Sequence, residues 1–277
     1  MTINCNGKLI SLDTPLVMGI LNLTPDSFHD GGRYESTIAM LQHVKKMASE
    51  GADIIDIGGM SSKPGSPVIS VEEELKRVME PVRLIHERFP DLLLSIDTIH
   101  AQVAKEAVAN GVSIINDISA GTWDKDMIPT VSQLGTPYIL MHMQGMPETM
   151  QAAPIYHNAI TDIMDYLAER INGCREAGIK DIIIDPGFGF GKSNEHNFKI
   201  LKGLSLFKML ECPMMAGLSR KSMLTKTLGI KNAEALNGTT VLHTIALLNG
   251  ANILRVHDVK EAKEAVKLVK ELTEVVL

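Results

Sequence analysis

Three polar residues stand directly after short apolar runs, where their side chains could bind a flat, nitrogen-rich ring. Asp97, Asn116 and Asp185 follow runs that lie far apart in the sequence. A carboxylate can accept two parallel N–H bonds from an amino-pyrimidine edge, and an amide can both donate and accept on the same ring. Each residue alone could equally cap a helix or make a turn. Three on separate runs favour one shared binding site.

A second group of residues is cationic and lies near the end of the chain. Arg220 and Lys221 follow the seventh apolar run, and Arg255 and His257 lie at the end of the eighth. In a barrel of eight strands, the loops after strands seven and eight commonly bind phosphate, so these residues predict a phosphorylated or diphosphorylated ligand. The alternative for Arg220 is a salt bridge at the rim, and Lys221 could instead reach a ring oxygen or nitrogen.

The segment Asp185-Pro-Gly-Phe-Gly-Phe-Gly-Lys192 is rich in glycine but does not fit a nucleotide-binding motif. A P-loop would need glycine at Pro186, and a dinucleotide fingerprint would need glycine at Lys192. We interpret the segment as a turn that lets the backbone approach a flat ligand, with one of its phenylalanine rings packing nearby. His142 has no second histidine at ligand spacing, so we predict a structural or supporting role for it.

A regular alternation of strand and helix signals positions these residues. Five segments with helical spacing end on glycines that suit a left-handed helix terminus, namely Gly51, Gly111, Gly135, Gly178 and Gly250. The alternation predicts an α/β fold, a (β/α)₈ TIM barrel, whose chemistry sits just after each strand. Eight apolar runs, each too short for a helix and suited to buried parallel strands, are the predicted strands: 16–21, 54–57, 92–96, 113–115, 138–141, 182–184, 214–216 and 253–256.

The 277 residues of the chain fit one barrel, which typically needs roughly 250 residues. We therefore expect a single domain over 1–277, with a short N-terminal hairpin or lid at 1–15 and the barrel at 16–277. Ser70 and Glu73 predict a capping box at the start of the helix after the second run. Pro81 should kink or break that helix.

Composition excludes several classes of protein. A net charge of −6 disfavours a general nucleic-acid surface. No apolar stretch approaches the roughly 20 residues that span a bilayer, and residues 1–8 lack the apolar segment of a signal peptide. Cys5, Cys174 and Cys212 are far apart, so neither a disulfide framework nor a zinc site is indicated. We expect a cytoplasmic protein with small-molecule substrates and no nucleic-acid or membrane partner.

Eight segments, from about Leu16 to Asp258, resemble the dihydropteroate synthase family of pterin-binding enzymes and occur in that family's order. Eight matches in register are far more specific than any one of them. The segments are Gly19-Ile-Leu-Asn-Leu-Thr-Pro-Asp-Ser-Phe28, Ile55-Asp-Ile-Gly-Gly59, Ser95-Ile-Asp-Thr98, Ile115-Asn-Asp117, Met141-His-Met143, Asp185-Pro-Gly-Phe-Gly-Phe-Gly-Lys192, Ser219-Arg-Lys-Ser222 and Arg255-Val-His-Asp258.

The resemblance implies a homodimeric transferase of folate biosynthesis that uses Mg²⁺. Its members join 6-hydroxymethyl-7,8-dihydropterin diphosphate to p-aminobenzoate and release pyrophosphate and 7,8-dihydropteroate. Carried over by position, the pterin would be held by Asp97, Asn116, Asp185 and Lys221, in a slot lined by Met141 and Gly217; Asp97, Asp185 and Lys221 would also be catalytic. The diphosphate would be bound by Asn22, Arg255 and His257, with Asn22 at the metal. The p-aminobenzoate site would be bordered by Phe28, Ser62, Lys63, Pro64 and Ser222.

The resemblance also implies a dissociative mechanism, in which the C–O bond breaks first and the arylamine captures the pterin cation. Because water would capture an exposed cation, we expect the loops 24–35 and 60–67 to close over the site. The second loop departs from the family, most members of which read Glu-Ser-Thr-Arg-Pro-Gly where this chain has Met60-Ser-Ser-Lys-Pro-Gly65. Lys63 keeps a positive charge but loses the guanidinium fork, so we expect activity with altered loop ordering or p-aminobenzoate contact.

Two other functions fit part of the pattern. The barrel of methyltetrahydrofolate:corrinoid methyltransferases resembles the pterin acceptor set, but a methyl donor has no diphosphate for Arg255 and His257 to anchor. A pterin-binding paralogue without turnover would have lost loop or anion residues, and only Met60, Ser62 and Lys63 are unusual here. For the dimer interface, the sequence offers only a weak pointer in apolar residues expected to be exposed on the last two helices, namely Leu247, Val266 and Val269.

Overall fold

The computed structural model describes residues 1–24, 32–61, 65–146, 150 and 154–275, without the side chains of 32–36. An antiparallel hairpin comes first and eight parallel strands follow, with helices between them. The strands are β1 (Thr2–Cys5), β2 (Lys8–Ser11), β3 (Leu16–Asn22), β4 (Ile54–Gly58), β5 (Leu93–Asp97), β6 (Ile114–Asp117), β7 (Tyr138–Met141), β8 (Ile182–Asp185), β9 (Met215–Ala216) and β10 (Ile253–Val256). The helices are α1 (Gly32–Ser49), α2 (Val71–Arg88), α3 (Ala101–Ala109), α4 (Met127–Leu134), α5 (Ala159–Glu176), α6 (Asn194–Lys202), α7 (Ser222–Leu228), α8 (Leu236–Leu248) and α9 (Val259–Glu274).

The eight parallel strands form a nearly closed barrel. Their order is β8-β7-β6-β5-β4-β3-β10-β9, and a parallel bridge between Ile184 and Met214 brings the two outer strands together. The predicted (β/α)₈ barrel and the N-terminal hairpin are therefore confirmed. In the described part of the chain, no helix is long and apolar enough to cross a membrane.

The glycines predicted to end helices lie where a side chain would be strained. Gly51, Gly111, Gly135, Gly178 and Gly250 have φ angles of +97°, +106°, +65°, +94° and +98°, in the region that residues with a Cβ rarely adopt. They turn the chain from the end of a helix toward the next strand, as the alternation of the sequence predicts.

Helix α2 confirms half of one prediction and corrects part of another. The Ser70 side chain accepts a hydrogen bond from the backbone N–H of Glu73 and so caps the helix, whereas the Glu73 side chain accepts from Arg77 Nε. Of the two predicted effects of Pro81, a kink or a break, the break does not occur, because the helix continues to Arg88. Val78 and Val82, on either side of Pro81, are both fully buried, and we infer that their packing against the barrel outweighs the lost backbone hydrogen bond.

Side chains that point into the barrel change character along the strands. Because every second residue of a strand points to the same face, residues two positions apart both point into the barrel. A compact apolar cluster fills the amino-terminal end and includes Ile54, Ile114, Ile139, Ile183, Met215 and Ile253. Two residues later, on the same strands or, for Gly217, directly after β9, stand Asp56, Asn116, Met141, Asp185, Gly217 and Arg255.

The hairpin closes the end of the barrel opposite these polar residues. Ile3, Cys5 and Leu12 pack into the apolar cluster, and Asn6 Nδ2 donates to the carbonyl oxygen of Val112, just before β6. Of the two predicted roles, hairpin or lid, the segment is thus a hairpin that plugs the barrel floor and does not cover the polar mouth.

The residues proposed as a pointer to a dimer interface are not exposed, so that prediction was wrong. Leu247, Val266 and Val269 are buried, because the helical stripe that carries them faces the barrel. The exposed apolar side chains on the last two helices are Val241, Leu248, Leu268 and Leu272.

Candidate active site

A chain of charged and polar groups crosses the carboxyl-terminal mouth of the barrel. Arg255 lies at its centre, with Nε 2.6 Å from Asp56 Oδ2 and Nη2 2.6 Å from Asp97 Oδ2. Asn116 Nδ2 donates to the same oxygen of Asp56 over 3.1 Å. The strand register explains this proximity, since Asp97 pairs with Gly58 on one side and with Asn116 on the other.

Burial and mutual charge set the protonation of this group. Burial raises the pKa of Asp97, and the Arg255 guanidinium opposes that rise. Burial alone would lower the pKa of Arg255, but the Asp56 and Asp97 carboxylates outweigh it and raise the pKa. The guanidinium is therefore permanently charged, and it is held by two carboxylates at the edge of the mouth.

Asp56 is a member of this group that the sequence interpretation missed. It is fully buried on β4, and its Oδ1 has no hydrogen-bond partner among the described residues. The signal was present, because Asp56 interrupts the apolar run 54–57 and lies two residues after Ile54, on the same inward face. It was missed because the candidates were sought after the runs or, for Arg255, at the end of one, and Asp56 lies in the middle of its run.

On the other side of the mouth, Asp185 and Lys221 face the same space. Asp185 Oδ1 accepts a hydrogen bond from the backbone N–H of Gly187 over 2.7 Å, and burial raises its pKa. The ammonium of Lys221 lies 4.3 Å from the centre of the Phe190 ring, and burial lowers its pKa to about 8. A Cβ placed on Gly217 would lie 3.9 Å from Asp185 Oδ2. The predicted pterin residues thus include a buried carboxyl group and an ammonium that lies beside an aromatic ring.

The glycine-rich segment is a tight turn, as predicted. Gly187, Gly189 and Gly191 have φ angles of +71°, +83° and +62°. A Cβ on Gly187 would collide with the carbonyl oxygen of His142, and a Cβ on Gly191 would collide with that of Gln144. Glycine is therefore required at both positions for backbone conformation and for close approach to the loop after β7.

Asn22 lies at the end of β3, beside Asp97. A Cβ placed on Gly58 would be 3.6 Å from Asn22 Oδ1 and 3.8 Å from Asp97 Oδ2, so both oxygens border one small space. In the described part of the chain no three His, Cys, Asp or Glu side chains are grouped as a metal centre. An amide oxygen is nevertheless a suitable ligand for Mg²⁺, which usually takes its remaining ligands from substrate phosphates and water.

The residues after β9 and β10 include an ion pair at the rim and a histidine hydrogen-bonded to a serine. Arg220 donates two hydrogen bonds, of 2.9 and 2.6 Å, to the carboxylate of Asp258. It is therefore engaged in a rim salt bridge, which was the alternative considered for it. His257 lies with Nδ1 3.0 Å from Ser219 Oγ, and Ser222 is exposed at the first turn of α7.

Four residues predicted at the p-aminobenzoate site, Phe28, Ser62, Lys63 and Pro64, lie outside the described residues. The unusual Met60 can be placed. It is buried in an apolar cluster with Ile99, Ile118, Met141 and Phe190, against which Trp123 packs. A carboxylate would be costly in these surroundings, so the Met60 side chain suits its neighbours here.

Comparisons with known proteins agree with this geometry. The sequence pattern of the family described as Pterin binding enzyme matches residues 18–257. The dihydropteroate synthase of Escherichia coli (strain K12) is 43% identical over 272 residues, which cover 98% of this chain and 96% of that protein. The Yersinia pestis dihydropteroate synthase with a sulfonamide drug superposes with a TM-score of 0.93 at 41% identity, covering 99% of this chain and 100% of the other. Xanthomonas albilineans dihydropteroate synthase with 4-aminobenzoic acid gives 0.92 at 38% identity, with 99% of both chains covered.

The barrel, its polar mouth and the family match together define a pterin-binding enzyme. Within that class, the chain belongs to the dihydropteroate synthase family, whose members are transferases of folate biosynthesis.

Proposed function

We propose that the chain condenses 6-hydroxymethyl-7,8-dihydropterin diphosphate with p-aminobenzoate to give 7,8-dihydropteroate and pyrophosphate. The observation that carries the proposal is that the Asp97–Arg255 ion pair shares the mouth with the buried Asp185 carboxyl and the Lys221 ammonium, which influence each other's pKa. It supports a cleft in which acceptors for a ring stand near a permanent cation. The Xanthomonas albilineans relative with 4-aminobenzoic acid supports the second substrate.

The pterin ring would lie in the slot between Asp97, Asn116, Asp185 and Lys221, bordered by Met141 and Gly217. The carboxylates would accept N–H bonds from the amino-pyrimidine edge, and Lys221 would donate to a ring oxygen or nitrogen. Since burial lowers the pKa of Lys221 only to about 8, its ammonium persists at neutral pH. Asp97 and Asp185 would favour the pterin cation electrostatically, and Lys221 would hold the ring in place.

The diphosphate would bind toward Asn22, Arg255 and His257. Arg255 supplies the fixed charge, and Asn22 Oδ1 would be the protein ligand of a Mg²⁺ ion that arrives with the diphosphate. When bound, the ion would neutralise charge on the departing pyrophosphate. Burial and then the Arg255 charge lower the pKa of His257 to about 4, so its imidazole would act at neutral pH as an uncharged hydrogen-bonding group.

The arylamine would enter beside Ser222, with Phe28, Ser62, Lys63 and Pro64 completing its site. In a dissociative reaction the C–O bond to the diphosphate breaks first, and the bonding pair leaves with the pyrophosphate. The amine nitrogen then attacks the exocyclic methylene carbon and loses a proton. The 24–35 and 60–67 loops would exclude water during this interval.

The test is pyrophosphate release by the purified chain, with the pterin diphosphate and Mg²⁺, in the presence and absence of p-aminobenzoate. We expect release to depend on p-aminobenzoate and to match 7,8-dihydropteroate measured by chromatography. Pterin binding without pteroate would instead identify a binding paralogue. The absence of both pterin binding and product would refute the proposal.

Three further expectations accompany this function. We propose a homodimer that buries the exposed apolar side chains Val241, Leu248, Leu268 and Leu272 of α8 and α9. Sedimentation equilibrium would test it, with Leu268→Lys and Leu272→Lys expected to favour the monomer. A cytoplasmic location and the action of 1–277 as one domain also stay predictions.

A further inference from the structure

One buried lysine lies outside the group assigned to the substrates. Lys192, at the end of the glycine-rich turn, is only 3% exposed. Its Nζ lies 2.9 Å from His142 Nδ1, 2.9 Å from the carbonyl oxygen of Phe190 and 3.2 Å from the carbonyl oxygen of His142. The side chain therefore joins the loop after β7 to the loop after β8.

The hydrogen-bonding groups at this junction are complementary. Burial lowers the pKa of Lys192 to about 7, and the charge of Asp185 opposes that fall. In its protonated form the side chain has three N–H donors and no acceptor, and it meets three acceptors. Burial and then the Lys192 charge lower the pKa of His142 to about 2, so the ring is neutral and its Nδ1 can accept a hydrogen bond. No donor is left over for a substrate group, so Lys192 is suited to a supporting role and not to direct contact with substrate.

Further contacts hold the same turn from its other sides. Tyr156 donates from its hydroxyl to the carbonyl oxygen of Gly191 over 2.8 Å. The Asn197 Oδ1, on α6, accepts from the backbone N–H of Gly189 over 2.7 Å. The backbone N–H of His142 donates to the carbonyl oxygen of Asp185 over 3.0 Å. The turn is thus fixed at several points, which include the Asp185 carboxylate, an acceptor for the Gly187 N–H, as well as Lys192.

The glycine-rich turn also fixes part of the pterin slot. Phe190, whose carbonyl oxygen accepts from Lys192, places its ring 4.3 Å from the Lys221 ammonium. A Cβ on Gly189 would lie 3.3 Å from Lys221 Cδ, so the Lys221 stem packs against the turn. Movement of the turn would therefore shift Phe190 and Lys221 together.

We propose that Lys192 is a positioning residue for the pterin slot. By joining His142 to the Phe190 carbonyl, it fixes the turn that orients Lys221. The inference rests on the proposed function, because it assigns Lys221 to the pterin ring. Misplacement of a binding group by about 1 Å can reduce turnover by about a hundredfold.

The experiment compares Lys192→Met, His142→Leu, His142→Gln and the Lys192→Met/His142→Leu double variant with the wild type. Lys202→Met, which removes an exposed lysine from α6, is the matched control. Thermal unfolding and circular dichroism establish the folded fraction of each variant. The readouts are kcat and KM for the pterin diphosphate, and the Kd of the pterin diphosphate by calorimetry without p-aminobenzoate.

We expect Lys192→Met to lower kcat/KM by about tenfold to a hundredfold and to weaken pterin diphosphate binding, while Lys202→Met stays within about twofold. His142→Gln, which restores an acceptor, should lose less than His142→Leu. Because the two side chains act as one unit, the double variant should be no more than about threefold worse than Lys192→Met alone. Should Lys192→Met fail to fold, the contrast between His142→Gln and His142→Leu provides the same test.

Two results would overturn the inference. One is a lower unfolding temperature for Lys192→Met with kcat/KM and pterin diphosphate affinity within about twofold of the wild type, which would indicate a role in stability alone. The other is additive losses in the double variant, which would show that the two residues act independently. If the wild type makes no pteroate, the proposed function fails, yet calorimetry still decides whether Lys192 shapes a pterin slot; a wild type that does not bind the pterin diphosphate refutes both.

Discussion

The two ends of the barrel are built from the same strands but carry opposite chemistry. At the amino-terminal end, Ile54, Ile114 and Ile183 pack with the hairpin in a fully apolar layer. Two residues further along the same strands, Asp56, Asn116 and Asp185 are buried without such packing and rely on hydrogen bonds. Since residues two positions apart lie on the same face of a strand, each of these strands contributes an apolar side chain to one end and a polar side chain to the other.

The difference shows how the fold separates stability from chemistry. Burial of the apolar layer stabilises the fold and involves no charged side chain. The polar layer is costly to bury, and its members must compensate one another through contacts such as those of Arg255 with Asp56 and Asp97. Substitutions at the two ends should therefore change different measured quantities, and this expectation can be tested.

The largest expected effect is at the mouth, in Lys221→Ala. Loss of the ammonium beside Phe190 removes a preorganised cation from the pterin slot, so kcat/KM should fall by about 10²–10³-fold. The free energy of unfolding should change little, because a half-buried lysine contributes little apolar packing. Steady-state kinetics and chemical denaturation measure the two quantities, with Lys226→Ala on the exposed side of α7 as the control. A small kinetic effect would remove Lys221 from the site.

At the floor, the expected effects are reversed. Ile183 is fully buried in the apolar layer, so Ile183→Ala should reduce the free energy of unfolding by about 2–5 kcal/mol and Ile183→Val by about 0.5–1.5 kcal/mol. At a temperature where both variants remain folded, kcat/KM should be close to that of the wild type. Denaturant titration and kinetics on the same samples test this. Loss of turnover in folded Ile183→Val would show that the two layers are coupled.

The dependence of activity on pH sharpens the comparison, because the functional titrating groups cluster at the mouth. Burial lowers the pKa of Lys221 to about 8, and the ammonium exists below that pKa. For this reason kcat/KM for the pterin diphosphate should fall above pH 8, by about tenfold for each further pH unit. Lys221→Arg, which keeps its charge at high pH, should lose this alkaline limb even if its maximum is lower. An unchanged limb would assign the titration to the substrate or to another group.

The fold could be predicted from the sequence because its signals are local. Each strand needs only a few apolar residues, and each helix end needs only one glycine with positive φ, such as Gly111 or Gly250. Pro81 does not break α2, because tertiary packing outweighs local propensity there. Leu247, Val266 and Val269 were misjudged because apolar character alone does not indicate which helix face meets the barrel.

The candidate site could be predicted only in part, because contacts between strands are not visible in one sequence. Residues that follow the apolar runs could be named, and Asp97, Asn116, Asp185, Lys221 and Arg255 lie at one mouth as expected. The ion-pair partners of these residues could not be predicted. Nothing local shows that Arg220 pairs with Asp258, 38 residues away, or that Arg255 pairs with Asp56, 199 residues away.

The smallest predicted effect concerns Asp56, in the polar layer. Asp56→Asn keeps the shape of the side chain and one oxygen acceptor for Arg255 Nε and Asn116 Nδ2, but removes the charge that holds the guanidinium. We expect kcat/KM to fall by about tenfold, mainly through KM for the pterin diphosphate, because charge-assisted hydrogen bonds are roughly twice as strong as neutral ones. Steady-state kinetics at varied pterin diphosphate concentration would measure this change.

Asp53→Asn is the matched control from the other end of the barrel. Asp53 precedes β4, accepts the backbone N–H of Val17 and pairs with Lys263 over 2.7 Å, so it also loses one charged contact. We expect it to lower stability slightly and to leave kcat/KM within about twofold. If the two variants gave the same kinetics, Asp56 would be a structural carboxylate with no part in binding the pterin diphosphate.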